Sequence, residues 1–493
     1  MPHTDVAEAT GSRAPATDAE ETSSPLAIST LVRVTIPALL LAATLAVIVN
    51  GYAAPLTNPD TYFHLRFGYE FLHGWSLRDP GSVTSAATAH WVPTQWLPEV
   101  AMARLDEWFG LAGVAWFAGV QSLALVAAWY LTARRRAEPL VAFALLAVGF
   151  TAASIGLSAR PQVMSYVLVV VTVDAWLRTV EDGRPRWWLV PLTWFWAMYH
   201  GMWPVGIALG GVVLIGMVLD RRTTARRLLT LALVPLLSAV AAALTPVGPE
   251  LYAQEVRVQS RARFFSEWHS PNFSSHACLA LALILVVMLL ALLRGQRPEW
   301  VTILLFLVSA ACAVWTWRTV PAAAAVLVPL AAGPLQDWLG RRSKPPGRRE
   351  LAAVVVGCLV AAGALGVAVR GQTPDPTGQP TWLQPAMTSL PSGTEVLSTW
   401  GTSAILMWRF PDLDLISHGY GDTYTVPELQ RSADIQSVAP GWVEDLRQTG
   451  AKVAVLPPDD ALAYALTHEE HWQVVHHSDD LEMLTAPPGW ASQ

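Results

Sequence analysis

His276-Ala277-Cys278-Leu279-Ala280-Leu281-Ala282-Leu283-Ile284-Leu285-Val286-Val287-Met288-Leu289-Leu290-Ala291-Leu292-Leu293-Arg294 decides the class of fold. Between His276 and Arg294 no side chain is charged, and none hydrogen-bonds more strongly than a cysteine thiol. A helix of this length reaches across most of a hydrocarbon layer ~30 Å thick. A soluble helix that long shows a polar face; this one shows none. Further apolar runs, bounded by charged or Pro/Gly-rich turns, fall at about 34–53, 111–133, 139–158, 163–179, 187–200, 204–220, 228–245, 299–316, 320–336 and 351–369. The expected fold is therefore an α-helical polytopic membrane protein with about eleven transmembrane helices. The pair at 187–200 and 204–220 is either two short spans meeting at His200-Gly201 or one bent helix.

Composition agrees. The 493 residues are 53% hydrophobic and 14% charged, with a mean hydropathy of +0.37. A soluble domain carries roughly 25% charged residues. A net charge of -6 argues against nucleic acid as a partner. Cys278, Cys312 and Cys358 all lie in apolar runs, where cysteine behaves as a small hydrophobe. Only Lys344 and Lys452 are lysines, a bias typical of GC-rich bacterial genomes and consistent with a bacterial plasma membrane.

Basic residues set the orientation. With the N-terminus cytoplasmic, the inside loops hold Arg134–Arg136, Arg178, Arg184 and Arg186, Arg221, Arg222, Arg226 and Arg227, Arg294 and Arg297, and Arg341, Arg342, Lys344, Arg348 and Arg349. The opposite loops hold fewer: Arg66, Arg78, Arg104, Arg160, Arg257, Arg261, Arg263 and Arg318. This is the positive-inside pattern. It requires 187–220 to be split into two spans. Residues 1–26 read as a disordered cytoplasmic tail, acidic and rich in Ser, Thr, Pro and Ala. Residues 27–370 form the membrane domain, with long external loops at 54–110 and 246–276, and 380–493 form a small extracytoplasmic α/β domain. In that last segment 396–398, 415–417, 452–456, 472–476 and 481–484 read as strands, with helices at 401–409, 442–448 and 461–468. It carries no phosphate-binding glycine loop or nucleophile elbow, which makes it a binding or docking module.

Long loops tend to be functional. In the first, Asn58-Pro59-Asp60 precedes His64-Leu65-Arg66 and Gly68. Asp60 and His64 share one helix face at four-residue spacing. Such a pair can act as a base or hold a divalent cation with other oxygen ligands; a helix cap beside a solvated histidine is the plain alternative. Further on come His90, Gln95-Trp96 and Glu99, polar groups among tryptophans that either stack on a sugar or belong to the interfacial belt. The second loop holds Arg257, Arg261 and Arg263 before Glu267-Trp268-His269. Arginines outside bind phosphate or form structural ion pairs, and Arg160 and Arg318 pose the same choice. Asp174 is expected to pair with Arg178 at i,i+4.

With these residues in hand, the chain resembles the GT-C superfamily of membrane glycosyltransferases, in a branch related to protein O-mannosyltransferases and lipid A sugar transferases. The resemblance rests on Pro59-Asp60 with His64-Leu65-Arg66 and Gly68, Gln95-Trp96-Leu97 with Glu99, Arg160-Pro161-Gln162, His200-Gly201, Glu267-Trp268 with Ser270-Pro271, and Arg318 with Pro321. It implies that Asp60 deprotonates an acceptor while a sugar leaves a polyprenyl-phosphate donor at the external membrane face. His64 and Glu99 then neighbour the base. Arg66, Arg160 or Arg318 hold the lipid phosphate, and His90, Gln95, Trp96, Glu267 and His269 contribute to substrate binding. The implied partners are membrane lipid, the lipid-linked donor and a glycan or protein acceptor. The sequence departs from many relatives in having one aspartate where they show an acidic pair. It also reads His418-Gly419-Tyr420-Gly421-Asp422 where they often read Asp-Gly-Arg. The alternative is an inactive member of the fold that binds a glycan or lipid-linked precursor. A transporter is disfavoured by the scarcity of central charges and the lack of an inverted repeat.

Overall fold

Hydrocarbon offers backbone groups no hydrogen-bond partner, so a spanning segment has to satisfy its own. The apolar runs accordingly form helices in the computed structural model, which describes residues 30–295, 299–340, 346–372 and 379–490 and side chains from 35 onward. The tail at 1–26 and the basic residues Arg297, Arg341, Arg342 and Lys344 lie outside the described residues. In chain order the helices are α1 (Thr30–Ala53), α2 (Asp60–Leu72), α3 (Trp96–Phe109), α4 (Leu111–Arg134), α5 (Pro139–Ala153), α6 (Gln162–Asp182) and α7 (Leu189–Tyr199). They continue with α8 (Trp203–Leu219), α9 (Ala225–Ala243), α10 (Glu250–Arg261), α11 (His276–Arg294), α12 (Trp300–Trp315), α13 (Val320–Trp338) and α14 (Arg348–Ala368). Every helix except α2, α3 and α10 coincides with one of the apolar runs. Among the described residues eight helical segments are long and apolar enough to cross a membrane unaided. α7, α8 and α12 are shorter, at 11, 17 and 16 residues. The chain is a multi-pass membrane protein.

α13 is the buried centre. It packs on α4, α5, α6, α11 and α12, and Ala322–Ala325 let its neighbours approach closely. The outer helices α1, α9, α11 and α14 expose leucines and valines such as Leu39, Leu229, Leu236, Leu283, Leu359 and Val360. On a water-soluble protein that surface would aggregate; facing lipid it costs nothing. α7 and α8 are two helices, because His200 between them is extended at φ -167° and ψ 143°.

The loops sort to two ends. At one, Arg134 pairs with Glu350, Arg136 with Asp174 and Glu181, and Arg222 with Glu299. There too the Arg227 guanidinium donates to the Gly183 carbonyl, and Arg294 stacks on Trp338 at 5.2 Å. These contacts gather all five basic loops at a single end. Asp174 therefore pairs across helices with Arg136 at 2.9 Å and Arg135 at 3.7 Å, a correction to the local pairing with Arg178. Exposed Trp187, Trp188, Trp300 and Trp338 ring this end, as expected of an interfacial belt.

At the other end the C-terminal domain sits on the first loop. Its five strands are β1 (Glu395–Ser398), β2 (Asp414–Leu415), β3 (Val453–Leu456), β4 (Gln473–His477) and β5 (Glu482–Thr485), ordered β2-β1-β3-β5-β4. β1 lies parallel to both β2 and β3, while β5 runs antiparallel to β3 and β4. Val453–Leu456 is wholly buried, as a central strand requires, and the edge strand β4 is exposed throughout. Helices α15 (Leu383–Thr388), α16 (Trp400–Arg409), α17 (Val426–Gln436), α18 (Trp442–Gln448) and α19 (Ala461–His468) surround the sheet. Thr425 and Glu428 form a capping box on α17, and Asp460 caps α19. Phe63, Phe67 and Trp91 of the first loop share one apolar core with Met407, Leu415, Tyr420 and Val455. Thr84 and Ser85 donate to Asp414, and Thr88 donates to Glu428. The domain is thus continuous with the loop beneath it.

Candidate active site

The turn that starts α2 orients its first residue. The Asp60 amide donates to Asn58 Oδ1 at 3.0 Å, so Asn58 does the local capping work. Asp60 makes no capping bond among the described residues, and its carboxylate meets Arg160, which lies in the α5–α6 connection. That removes the helix-cap reading of Asp60. Arg160 also lies 3.4 Å from Glu267, and Glu267 in turn accepts from Arg318. Two carboxylates and two guanidiniums from four separate segments form one chain: Asp60, Arg160, Glu267, Arg318. Arg318 additionally stacks on Trp268 at 5.2 Å.

His64, one turn along α2, does not face Asp60. It is buried, and its Nδ1 lies 2.8 Å from Glu99 Oε1. Gly68 makes this contact possible. A Cβ there would fall 2.0 Å from the Glu99 carbonyl oxygen, so only glycine lets α2 and α3 pack this closely. The solvated-histidine reading is replaced by a buried pair. Burial lowers the His64 pKa well below its ordinary value, and Arg160 and Arg318 push the same way. Burial likewise raises the Glu99 carboxyl well above the usual range. Both groups are driven toward neutral forms, one proton serves the contact, and Nε2 is left for the cavity that His64 lines.

That cavity, about 760 Å³, is bounded by Asp60, His64, Thr94, Gln95, Arg160 and His200 from the membrane domain. Glu255, Arg261, Glu267 and Arg318 close its second side, and Trp400 with Gly419–Asp422 of the C-terminal domain form its roof. A second cavity of about 290 Å³ shares Arg160, Gln162, Glu267 and Arg318 and is otherwise walled by Ile155, Gly156, Tyr166, Trp317 and Pro321. Arg160, Glu267 and Arg318 thus form a charged wall common to both cavities, with Asp60 facing the larger one and mainly apolar side chains completing the smaller.

The Asp60 carboxyl is about a third exposed to the chamber. Burial raises its pKa ahead of the opposing pull of Arg160, with Glu267 adding to the rise. For Glu267 burial works upward too, but Arg318 and Arg160 outweigh it and hold the carboxyl below its usual range. The Asp60 and Glu267 carboxylates are turned to guanidiniums, and among the described residues no group of three or more His, Cys, Asp or Glu could hold a metal.

Several other residues singled out in the sequence lie elsewhere. Arg66 pairs with Glu70 at 2.8 Å on its own helix and donates to the Pro411 carbonyl, outside the cavity. His90 is exposed, 3.3 Å from Glu250. Trp96 packs on the membrane-domain core, and His269 is exposed with its carbonyl accepting from the Trp317 amide. Arg66 and Trp96 sit on helices whose packing turns them from the cavity, while His90 and His269 lie in exposed connecting segments. Conversely His200, Glu255, Arg261, Trp400, Tyr420 and Asp422 line the chamber without having been assigned a role in it. The only signal for Arg261 was its breach of the positive-inside pattern, and for Asp422 its place in a Gly-Tyr-Gly-Asp loop.

No protein-family model and no curated protein sequence matches the chain. Solved structures do. ArnT from Cupriavidus metallidurans bound to undecaprenyl phosphate is similar at a TM-score of 0.53 and 15% identity, over 94% of this chain and 99% of that one. The archaeal oligosaccharyltransferase AglB from Archaeoglobus fulgidus, in complex with an inhibitory peptide and a dolichol-phosphate, is similar at 0.51 and 12%, over 93% and 75%. The chain has the GT-C fold. The GT-C likeness runs through the membrane helices and the C-terminal domain alike, as the coverage of this chain requires.

Proposed function

We propose that this protein is a membrane glycosyltransferase that moves a sugar from a polyprenyl-phosphate-linked donor to an acceptor at the external membrane face. The carrying observation is the shared charged wall: Arg160, Glu267 and Arg318 stand between a large chamber that Asp60 faces and a smaller cavity otherwise walled mainly by apolar side chains. A lipid-linked substrate needs its tail in one and its sugar in the other. Arg160 and Arg318 bind the phosphate, whose planar bidentate recognition suits guanidinium. Asp60 takes the acceptor hydroxyl proton, the acceptor oxygen attacks the anomeric carbon, and the bond to phosphate oxygen breaks. The lipid phosphate leaves with the electron pair, and the two arginines stabilise its charge. His64, neutral and fixed by Glu99, offers Nε2 as a hydrogen-bonding group that adds no charge. The fold likeness to ArnT bound to undecaprenyl phosphate supports this reading. The basic loops lie at the opposite end, and the positive-inside rule supports a cytoplasmic place for them and an external one for the chamber.

The test is Asp60→Asn. Asparagine keeps the shape at the start of α2 but cannot take a proton, so transfer from radiolabelled polyprenyl-phosphate sugars in membranes should fall ~10²–10⁴-fold. Normal transfer by a folded Asn variant removes Asp60 as the base. Transfer by neither protein favours the inactive, precursor-binding alternative.

A further inference from the structure

The donor phosphate accounts for one wall of the larger chamber and leaves the opposite wall unexplained. There Arg261 is only 7% exposed, yet its Nε and Nη1 donate to no group among the described residues. Asp422 approaches it at 3.7 Å, beyond hydrogen-bond distance. Gln254, fully buried behind them, leaves both amide atoms without a good bond, and Glu255 Oε1 is likewise unmatched. A buried guanidinium with idle donors is costly, and Gln254 and Glu255 add unmatched atoms around the same Asp422. Beside them Phe265 and Trp400 sit 5.4 Å apart. Gly421 admits the Phe265 ring, since a Cβ at that position would lie 2.5 Å from it.

Resting on the transferase reading above, we infer that Arg261, Asp422 and Glu255, backed by Gln254 and with Trp400 and Phe265 as the apolar face, form a saccharide subsite. The chemistry decides the class. A second anion would meet Asp422 and Glu255, and an apolar ligand would strand the three polar groups that face the chamber. A sugar supplies what they lack: vicinal hydroxyls that donate to carboxyl oxygens and accept from guanidinium, and C–H faces that lie on aromatic rings. Burial raises the Glu255 carboxyl to about 8 and the Asp422 carboxyl above its usual range, which suits hydroxyl partners. The sugar is either that of the donor or that of the acceptor.

Full-length wild type, Asp422→Asn, Arg261→Met and Arg261→Lys, each checked for folding by its thermal transition, separate these sources. The probes are bare undecaprenyl phosphate, a panel of undecaprenyl-phosphate pentoses and hexoses, and transfer of radiolabel into the membranes' own acceptor. For a donor-sugar subsite, wild type binds at least one sugar-linked carrier more tightly than the bare carrier, and Asp422→Asn and Arg261→Met erase that gain by tenfold or more. Their affinity for the bare carrier stays the same. For an acceptor subsite, carrier binding is untouched in every variant, transfer falls by tenfold or more, and slow hydrolysis of the donor persists. Arg261→Lys falls between in either case, because it keeps the charge but not the planar fork. Variants with wild-type sugar gain and wild-type transfer overturn the subsite while leaving the transferase reading intact. A persisting sugar gain without transfer by wild type overturns only the transferase reading. A wild type with neither sugar gain nor transfer overturns both.

Discussion

The two ends of the helix bundle use the same residue types in opposite ways. At the basic end several arginines close ion pairs that tie the loops together, although Arg135 and Arg136 share Asp174 and Arg186 Nε is left without a partner among the described residues. Arg134 Nε and Nη2 grip both oxygens of Glu350 at 2.6 and 3.1 Å, Arg186 meets Asp182 at 2.8 Å, and Arg222 meets Glu299 at 2.5 Å. At the chamber end the carboxylates are shared. Glu267 serves both Arg160 and Arg318, Arg160 serves both Asp60 and Glu267, and Arg261 stops short of Asp422. A closed pair holds loops together and has nothing left for a ligand. A shared chain keeps donors in reserve that an incoming phosphate can use, and it holds Asp60 without saturating it. Sharing alone does not mark the site, since Asp174 is shared too; what marks it is that the shared chain lines a large cavity.

That contrast can be broken from either side. The largest expected effect is at the basic end. Arg134→Gln leaves Glu350 without its bidentate partner beside Tyr130, which donates to the same carboxylate at 2.5 Å, and removing one partner of such a pair costs ~3 kcal/mol. The thermal transition of the purified protein should drop, while undecaprenyl phosphate affinity in the folded fraction stays at the wild-type value. A loss of affinity there would erase the distinction between the two ends.

Next is Arg318→Lys. Lysine keeps a positive charge beside Glu267 but gives up the fork and the stacking on Trp268. With charge-assisted bonds worth ~1.5–3 kcal/mol, undecaprenyl phosphate binding should weaken ~10–100-fold with little change in the thermal transition. Unchanged binding would make Arg318 a structural partner of Glu267 like those at the other end.

A pH profile sharpens the comparison further. A base works deprotonated, so kcat/KM should fall as pH drops through the Asp60 pKa, and burial puts that acid limb above the ordinary aspartate value of ~3.9. Arg160 favours the charged carboxylate, so Arg160→Gln should move the limb to higher pH as well as lowering the rate. A limb that moves to lower pH would mean that another group is the base. The smallest effect is expected for Arg222→Lys. That pair is exposed at both partners, and such pairs contribute ~0–1 kcal/mol, so stability and transfer should both stay near wild type.

Most of the fold is legible along the chain, because hydropathy is a local property. A residue run such as 277–293 declares itself without reference to any other, and the five basic loops set the alternation of the spans even across the short α7. The C-terminal strands are readable for the same reason, since β3 is an uninterrupted Val-Ala-Val-Leu. α15 and α17 were not legible: α15 is a single short piece, and α17 is polar on much of its surface, with a proline in its first turn. The site is legible only in part. Asp60, Arg160, Glu267 and Arg318 stood out through resemblance and through arginines on the wrong side of a charge pattern. Their partners did not. Asp60 and Arg160 are 100 residues apart, and Arg318 and Glu267 are 51 apart, so which carboxylate meets which guanidinium depends on how α2, α6 and α13 pack. Asp60 and His64 share a helix face on paper, yet Gly68 draws α3 so close that His64 turns to Glu99. Arg66 lies on the same helix two residues further along and binds Glu70, where packing leaves it no cavity to face. Hydrophobicity adds up residue by residue and can be read from one dimension; charge pairing is a choice among competitors within a few ångströms, and only the packed helices bring the competitors together.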